Sequence, residues 1–153
     1  MLDESLRALV ESQWFIPLFI VVWLGGCALL AHVSGWASLS KRYAVTGRVD
    51  GKRFHFASST LGRKYLSVGH GNCLFVTINS QGLRLSVFFL FRFLCPPLFL
   101  PWSSIESVEK RHFLLFPNHV LTIRDHWARL SLYASAGRSA KEAYDSAKTA
   151  AAL

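Results

Sequence analysis

The sequence predicts an α+β protein that is mainly β, in which one long apolar helix precedes a series of short antiparallel strands and a C-terminal helix. No Asp, Glu, Lys or Arg occurs between Glu11 and Lys41. From Gly47 onward, short runs rich in β-branched and aromatic residues alternate with turn residues. Ser139 and Glu142 form a capping-box pattern, which is typical of a helix start. The 153 residues suffice for one domain with an appendage.

The apolar segment 14–33 has the length and composition of a transmembrane helix. A helix rises about 1.5 Å per residue, so roughly 20 residues cross a hydrocarbon core about 30 Å thick. The acidic flank before it lacks the positive charge of a signal peptide. Lipidation of Cys27 in the lipobox-like LGGC is an alternative, but the apolar run continues beyond that cysteine. We therefore predict 1–13 as a short extracytoplasmic N-terminus and 14–33 as the membrane helix.

Positive charge on one side of this segment predicts its orientation. Lys41 and Arg42 follow the segment closely, and further basic residues lie at Arg48, Lys52 and Arg53. Lys and Arg are enriched on the cytoplasmic side of membrane proteins. The sequence therefore predicts a single-pass protein with its N-terminus outside and its C-terminal domain in the cytoplasm.

The segment 34–45 predicts a short amphipathic helix at the membrane surface. Trp36, Leu39 and Tyr43 recur at helical spacing and form one apolar face. That face either lies in the membrane interface or packs on the following domain. The residues predicted to meet the membrane interface are Trp14, Trp36, Lys41 and Arg42.

Small residues within the apolar segment suggest a second role for it. Cys27, Ala31 and Gly35 recur every four residues, a spacing that lets another helix approach closely. The stripe predicts helix association, and chance occurrence of small residues is the alternative.

The apolar run 83–102 could form either a second membrane span or two strands. Arg84 and Arg92 interrupt it, and each would cost about 2–3 kcal/mol at a bilayer centre. Three prolines crowd its second half, where each removes a hydrogen-bond donor. We predict a strand to about Phe91, a Pro-Pro loop and a short second strand, with FRFLCPPLFL buried in the core. Insertion of this loop into the bilayer beside the helix is the alternative.

The local pattern resembles a known family of domains. VTINSQGLRLSV followed by LFLPWSSIESVE is similar to the GRAM and bacterial pleckstrin-homology-like (PH-like) pattern, with Pro101, Trp102, Ile105 and Val108 at its characteristic positions. The whole chain resembles small bacterial single-pass membrane proteins of unknown function. The resemblance implies a PH-like bent antiparallel barrel over 46–153, closed by a C-terminal helix, in a protein of the bacterial inner membrane.

The sequence predicts a protein without catalytic activity. It contains no nucleophile elbow, P-loop or dinucleotide-binding fingerprint. His70 and Cys73 are three residues apart, but no second close pair completes a zinc pattern. We therefore predict no metal and no cofactor. The formal charge of +8 is compatible with nucleic acid, but no recognition motif supports such a partner.

Basic residues near the first strands are the candidates for ligand binding. The lipid- or phosphate-binding candidates are Lys52, Arg53, Arg63 and Lys64. We expect a membrane-anchored module that binds a protein partner or anionic lipid headgroups at the cytoplasmic face. A structural subunit that assembles through its transmembrane helix is the alternative function, and a solvated basic face is the alternative role for the four cations.

Overall fold

The computed structural model describes residues 2–11 and 13–153 of the chain. The helices are α1 (Leu2–Glu11), α2 (Phe15–Ser34), α3 (Trp36–Tyr43) and α4 (Ala134–Ala151). The strands are β1 (Lys52–Gly62), β2 (Ser67–Ile78), β3 (Gly82–Val87), β4 (Leu98–Pro101), β5 (Ile105–Phe113), β6 (Phe116–Ile123) and β7 (Arg129–Tyr133). Short 3-10 turns occupy Phe89–Phe91 and Trp102–Ser104.

All the described strands belong to one curled antiparallel sheet with the order β4-β3-β2-β1-β7-β6-β5. The long strand β1 joins the two halves, because it pairs with β2 along most of its length and with β7 only from Ser59 to Gly62. Register shifts between Phe54 and Ser59 accompany a φ of 55° at Phe56, and such bulges bend a strand. The predicted fold class, α+β and mainly β, is confirmed.

The core follows the alternation seen in the sequence. Leu74, Val76 and Ile78 of β2 lie on the buried face, and so do Leu83 and Leu85 of β3. Period-two alternation places every second side chain on one face of a sheet. Helix α4 packs on β6 and β7 and covers one end of the sheet. The polar side chains between these apolar positions are therefore left on the outer face.

The run 83–102 consists of two paired strands. Leu83 pairs with Leu100, and Leu85 pairs with Leu98, so β3 and β4 form an antiparallel hairpin. Trp102 is buried, and its indole Nε1 donates a hydrogen bond to the Asn79 carbonyl at 2.9 Å. The strand interpretation is therefore confirmed against a second span.

Several predicted boundaries are wrong. The strand β3, predicted to run to about Phe91, ends at Val87. Helix α4 begins at Ala134, five residues before the predicted cap. Ser139 therefore lies inside the helix, where its hydroxyl accepts a hydrogen bond from the Lys52 ammonium at 3.1 Å. Tertiary packing of the first turn, in which Ala136 is buried, outweighs the local capping signal.

Helix α2 is long and apolar enough to cross a membrane, and only 11% of its most apolar 18-residue window is buried. A core helix of a water-soluble domain would be mostly buried, whereas this one exposes a continuous apolar surface. Its last turns differ, because Cys27 and Ala31 are buried against the domain. The first part of α2 is therefore exposed, and its last part packs against the β domain.

The expectation that Trp36 faces the membrane interface is wrong. Its side chain is fully buried, and its indole Nε1 donates to the Pro96 carbonyl at 2.9 Å. Leu39 of the same helix face is also fully buried, whereas Lys41 and Arg42 remain exposed. Helix α3 thus uses its apolar face to pack on the domain. Trp14 is exposed at the other end of α2.

The stripe of small residues in α2 packs against the domain. Cys27, Ala31 and Gly35 all face the domain and are buried, so they are not available to a second helix. Gly35 ends α2 with a left-handed φ of 84°. A Cβ atom at this position would lie 2.8 Å from Cη2 of Trp127. The helix-association prediction for this stripe is therefore wrong, because the same residues bring the domain close to the helix.

Replacement of Gly35 by alanine is expected to lower the free energy of unfolding by about 1–2 kcal/mol, since a left-handed conformation costs an L-residue that amount. The close approach to Trp127 adds to this cost. Thermal unfolding in detergent measures the effect. Gly26→Ala is the matched control, because nothing lies within 4 Å of its added Cβ and alanine favours a helix. Equal behaviour of the two variants would contradict this role for Gly35.

Candidate functional site

The predicted basic residues do not form one site. Arg53 lies near the start of β1, while Arg63 and Lys64 follow its end. Ten residues of extended chain separate Arg53 from Arg63, a span of up to about 33 Å. Lys52 points toward α4, where it binds Ser139. The prediction of a joint four-residue site is therefore wrong, because opposite ends of one strand cannot meet.

A different set of cations surrounds Arg53 on the outer face of the sheet. The strand register places Arg53 of β1 opposite Thr77 of β2, and Thr77 opposite Arg84 of β3. The three side chains therefore form a row across neighbouring strands. Arg48 lines the same open cavity, whose volume is about 300 Å³. We call Arg48, Arg53 and Arg84 with Thr77 the arginine row.

Arg84, at the β3 end of the arginine row, is the least exposed of its three cations. Its side chain is half-buried, and its Nε is buried without a hydrogen-bond partner among the described residues. Burial lowers the pKa of the Arg84 guanidinium, and the nearby charges of Arg92 and Arg53 lower it further. No described carboxylate forms an ion pair with Arg84; Asp50 lies 3.9 Å from Arg53 and is fully solvent-exposed. The row is therefore a cluster of positive charge that contains a desolvated, unsatisfied donor, the Arg84 Nε.

An aromatic surface continues from the arginine row along the same face. The ring of Phe75, two residues before Thr77, contacts His55, Phe56 and Phe88 with centroid distances of 5.7, 5.4 and 6.4 Å. Phe88 in turn contacts Phe89, at 4.6 Å. A group bound at the arginine row therefore has an apolar surface beside it, which leads from the charges toward the β3–β4 loop.

Arg63 and Lys64 belong to a separate surface beside the end of α2. The Arg63 guanidinium lies 4.9 Å from the ring of Trp127, the same ring that packs over Gly35. Lys64 lies over Tyr65 at 5.2 Å, and Tyr65 is largely exposed. Exposed cations and aromatic rings near the end of an apolar helix are typical of a headgroup-level collar.

A second cavity lies between α2 and the sheet. Cys27, Cys73 and Cys95 all line it, together with His70, and its volume is about 170 Å³. Burial raises the pKa of the Cys95 thiol to about 11, with Cys27 nearby as a further cause, so this thiol is a poor nucleophile near neutral pH. Among the described residues, no group of three or more His, Cys, Asp or Glu side chains has the arrangement of a metal site.

His70 makes this second cavity sensitive to acid. Its imidazole lies 5.6 Å from the Trp36 ring, and its Nδ1 is buried without a partner among the described residues. Burial lowers the pKa of His70, and a hydrogen bond with the Val68 backbone opposes that shift. The neutral imidazole is therefore the form that the fold accommodates.

Acidification is expected to destabilise the protein through His70. A histidine with a lowered folded-state pKa stabilises the fold above its ordinary value of 6.5, and that contribution is lost as the pH falls from 6.5 through the folded-state pKa. His70→Leu should therefore lose less stability than the native protein between pH 7.5 and 5. Thermal unfolding at both pH values tests this, with the exposed His112→Leu as the control. An unchanged loss in His70→Leu would contradict this role.

The sequence pattern around Arg84 predicts its strand but does not point to a site. Arg84 belongs to the strict alternation of β3, which places its side chain on the other face of the sheet from the apolar core positions. Its partners in the arginine row are not its neighbours in sequence, because the row forms only when three strands pair in register. Sequence reasoning therefore identified Arg53 but missed Arg48, Thr77 and Arg84 as its companions.

No protein-family model matches the chain, and no curated protein matches it.

Proposed function

We propose that the protein is a membrane-anchored, non-catalytic module that binds the phosphate headgroup of an anionic lipid at the arginine row. The observation that carries the proposal is Arg84: a half-buried guanidinium with an unsatisfied Nε, surrounded by cations and without a described carboxylate partner. Desolvating an unpaired charge is costly, so such a group is typical of a site that an anion completes.

The membrane part of the proposal rests on α2. Its length, its apolar composition and its exposed surface support a transmembrane anchor. The exposed Lys41 and Arg42 that follow it support a cytoplasmic location for the β domain under the positive-inside rule. We propose a single-pass protein of the bacterial inner membrane on these grounds and on the resemblance noted above.

The chemistry of the surface favours lipid over a free anion or a protein partner. A phosphate held by Arg53 and Arg84 can accept several charge-assisted hydrogen bonds, and the Thr77 hydroxyl lies between them in the register. The aromatic surface beside the row, formed by Phe75 and Phe88, fits the apolar part of the same molecule. A curled sheet closed by a C-terminal helix is also compatible with a PH-like module.

Calorimetric titration of the full-length protein in an uncharged detergent tests this function. We expect saturable binding of dihexanoyl phosphatidic acid that weakens as salt screens the charges, and little binding of zwitterionic dihexanoyl phosphatidylcholine. Equal binding of the two lipids, or none of either, would overturn the lipid assignment. Inorganic phosphate is the third probe, and binding of phosphate as tight as that of phosphatidic acid would assign the site to a free anion.

A further inference from the structure

The β3–β4 loop exposes a dense apolar surface. Between the end of β3 and the buried Cys95, the side chains of Phe89, Leu90, Phe93 and Leu94 are 69, 52, 47 and 46% exposed. The sequence favoured residues 91–100 as core, and that prediction is wrong for Phe93 and Leu94. The loop divides at Cys95, because Leu98 and Leu100 beyond it are fully buried.

The exposed part of the loop lies against the middle of α2. The Trp23 ring contacts the Phe91 ring at a centroid distance of 5.3 Å, and the Trp23 indole Nε1 donates to the Leu90 carbonyl at 3.4 Å. Trp23 lies 11 residues before Ser34, where α2 ends. At about 1.5 Å per residue, the loop is held roughly 16 Å along the helix from that end.

The length of α2 also requires part of the domain to lie beside the helix within the membrane. Trp23 contacts the β3–β4 loop and the last turns, from Cys27, pack against the domain, which leaves the eight residues from Phe15 to Val22 clear of it. Eight helical residues span only about 12 Å, well short of the roughly 30 Å of a hydrocarbon core. The packed turns must therefore contribute to the crossing, and the part of the domain beside them must lie in the same layer.

The loop backbone is suited to an apolar environment. Amide groups buried in hydrocarbon need internal partners. Within the loop, the amides of Phe91, Arg92 and Cys95 donate to the carbonyls of Phe88, Phe89 and Arg92 at 2.9, 3.2 and 3.0 Å. The Leu90 carbonyl accepts a hydrogen bond from the Trp23 indole N–H. The charge of Arg92 is close enough to Arg84 to lower its pKa, so Arg92 lies on the side of the arginine row.

From these observations we propose that the β3–β4 loop inserts its apolar side chains into one leaflet of the bilayer, beside α2. The proposal rests on the membrane anchor of the proposed function and goes beyond it, because it makes the domain itself partly immersed. The arginine row then lies on the Arg92 side of the inserted loop. A lipid bound there would have its headgroup at the row and its chains along Phe88 and Phe89.

Depth-dependent fluorescence quenching tests the insertion in the full-length protein. Single cysteines are introduced after replacement of the three native ones by alanine, labelled with a polarity-sensitive fluorophore and reconstituted into phosphatidylcholine–phosphatidylglycerol vesicles that contain doxyl-labelled lipid. Leu90→Cys is the test position, and Phe93→Cys is the second, should the first disturb folding. Leu115→Cys is the matched control, because Leu115 is also an apolar turn residue and is 91% exposed. Leu115 precedes the start of β6, whereas the loop whose Trp127 packs over Gly35 follows the end of β6.

We expect the doxyl lipid to quench the label at position 90 as strongly as a label at Ile20→Cys in α2, within a factor of about two, since both lie in the same ~30 Å layer. The label at position 115 should be unquenched. Quenching at position 20 without quenching at positions 90 and 93 would overturn the insertion while leaving the anchor intact. Absence of quenching at position 20 would overturn the anchor and the insertion together.

Discussion

Replacement of Trp36 by alanine is expected to lower the free energy of unfolding by about 3–5 kcal/mol, the range for a large buried aromatic side chain. Trp36 is fully buried, contacts the His70 ring and donates its indole N–H to the Pro96 carbonyl. Its loss would create a cavity where α3, β2 and the β3–β4 loop meet. Thermal or denaturant unfolding of the full-length protein in detergent measures the change.

Trp14→Ala is the control for this prediction. Trp14 is 70% exposed beyond the N-terminal end of α2, so its replacement should change the stability of the domain by no more than about 0.5 kcal/mol. A Trp36→Ala variant as stable as Trp14→Ala would show that Trp36 does not belong to the core. Trp36→Phe should retain part of the packing while leaving the Pro96 carbonyl without its indole donor.

Replacement of Arg84 by glutamine is expected to weaken the binding of dihexanoyl phosphatidic acid by about 10- to 100-fold. A hydrogen bond to a charged group contributes about 1.5–3 kcal/mol, and about 1.4 kcal/mol corresponds to a factor of ten. The free protein should not be destabilised. Removal of a desolvated charge among other cations favours the unliganded fold, so the free energy of unfolding should stay constant or rise by up to about 1 kcal/mol.

Arg63→Gln is the matched control for Arg84→Gln. It makes the same change of one arginine to glutamine and removes the same charge from the domain. Arg63 follows the end of β1, however, and is remote from the arginine row. Titration should therefore show native affinity for this variant. Equal weakening by Arg63→Gln and Arg84→Gln would indicate that the net charge of the domain, and not the row, attracts the lipid. A destabilised Arg84→Gln would indicate that Arg84 has a structural role.

Much of the fold could be predicted from local pattern. The gap in charge between Glu11 and Lys41 predicts α2, and the period-two alternation from Leu83 predicts β3. The prolines and arginines of the run 83–102 excluded a second span, because their costs in a bilayer are intrinsic to the residues. The three-residue spacing of the apolar Ile105 and Val108 indicates a bulge between them, and the strand register has one between Ile105 and Ser107.

The candidate site could not be predicted in the same way. Its members come from three strands and the segment before β1, and only their register makes Arg53 a neighbour of Arg84. The four cations singled out by proximity in sequence were divided by the length of β1. Charge clusters in sequence and charge clusters in space coincide in a helix turn, but not along an extended strand.

Local sequence pattern is enough to specify most elements of this protein: an apolar helix, alternating strands, a bent segment after Trp102 and a final helix. These follow from residue-level costs and periods that do not depend on distant partners. The tertiary structure alone decided what each surface contacts. Trp36 and the stripe of Cys27, Ala31 and Gly35 became core, while Phe89 and Leu90 became surface, because burial depends on which elements pack together. Hydrophobicity shows that a side chain avoids water, but only packing decides whether protein or lipid replaces it.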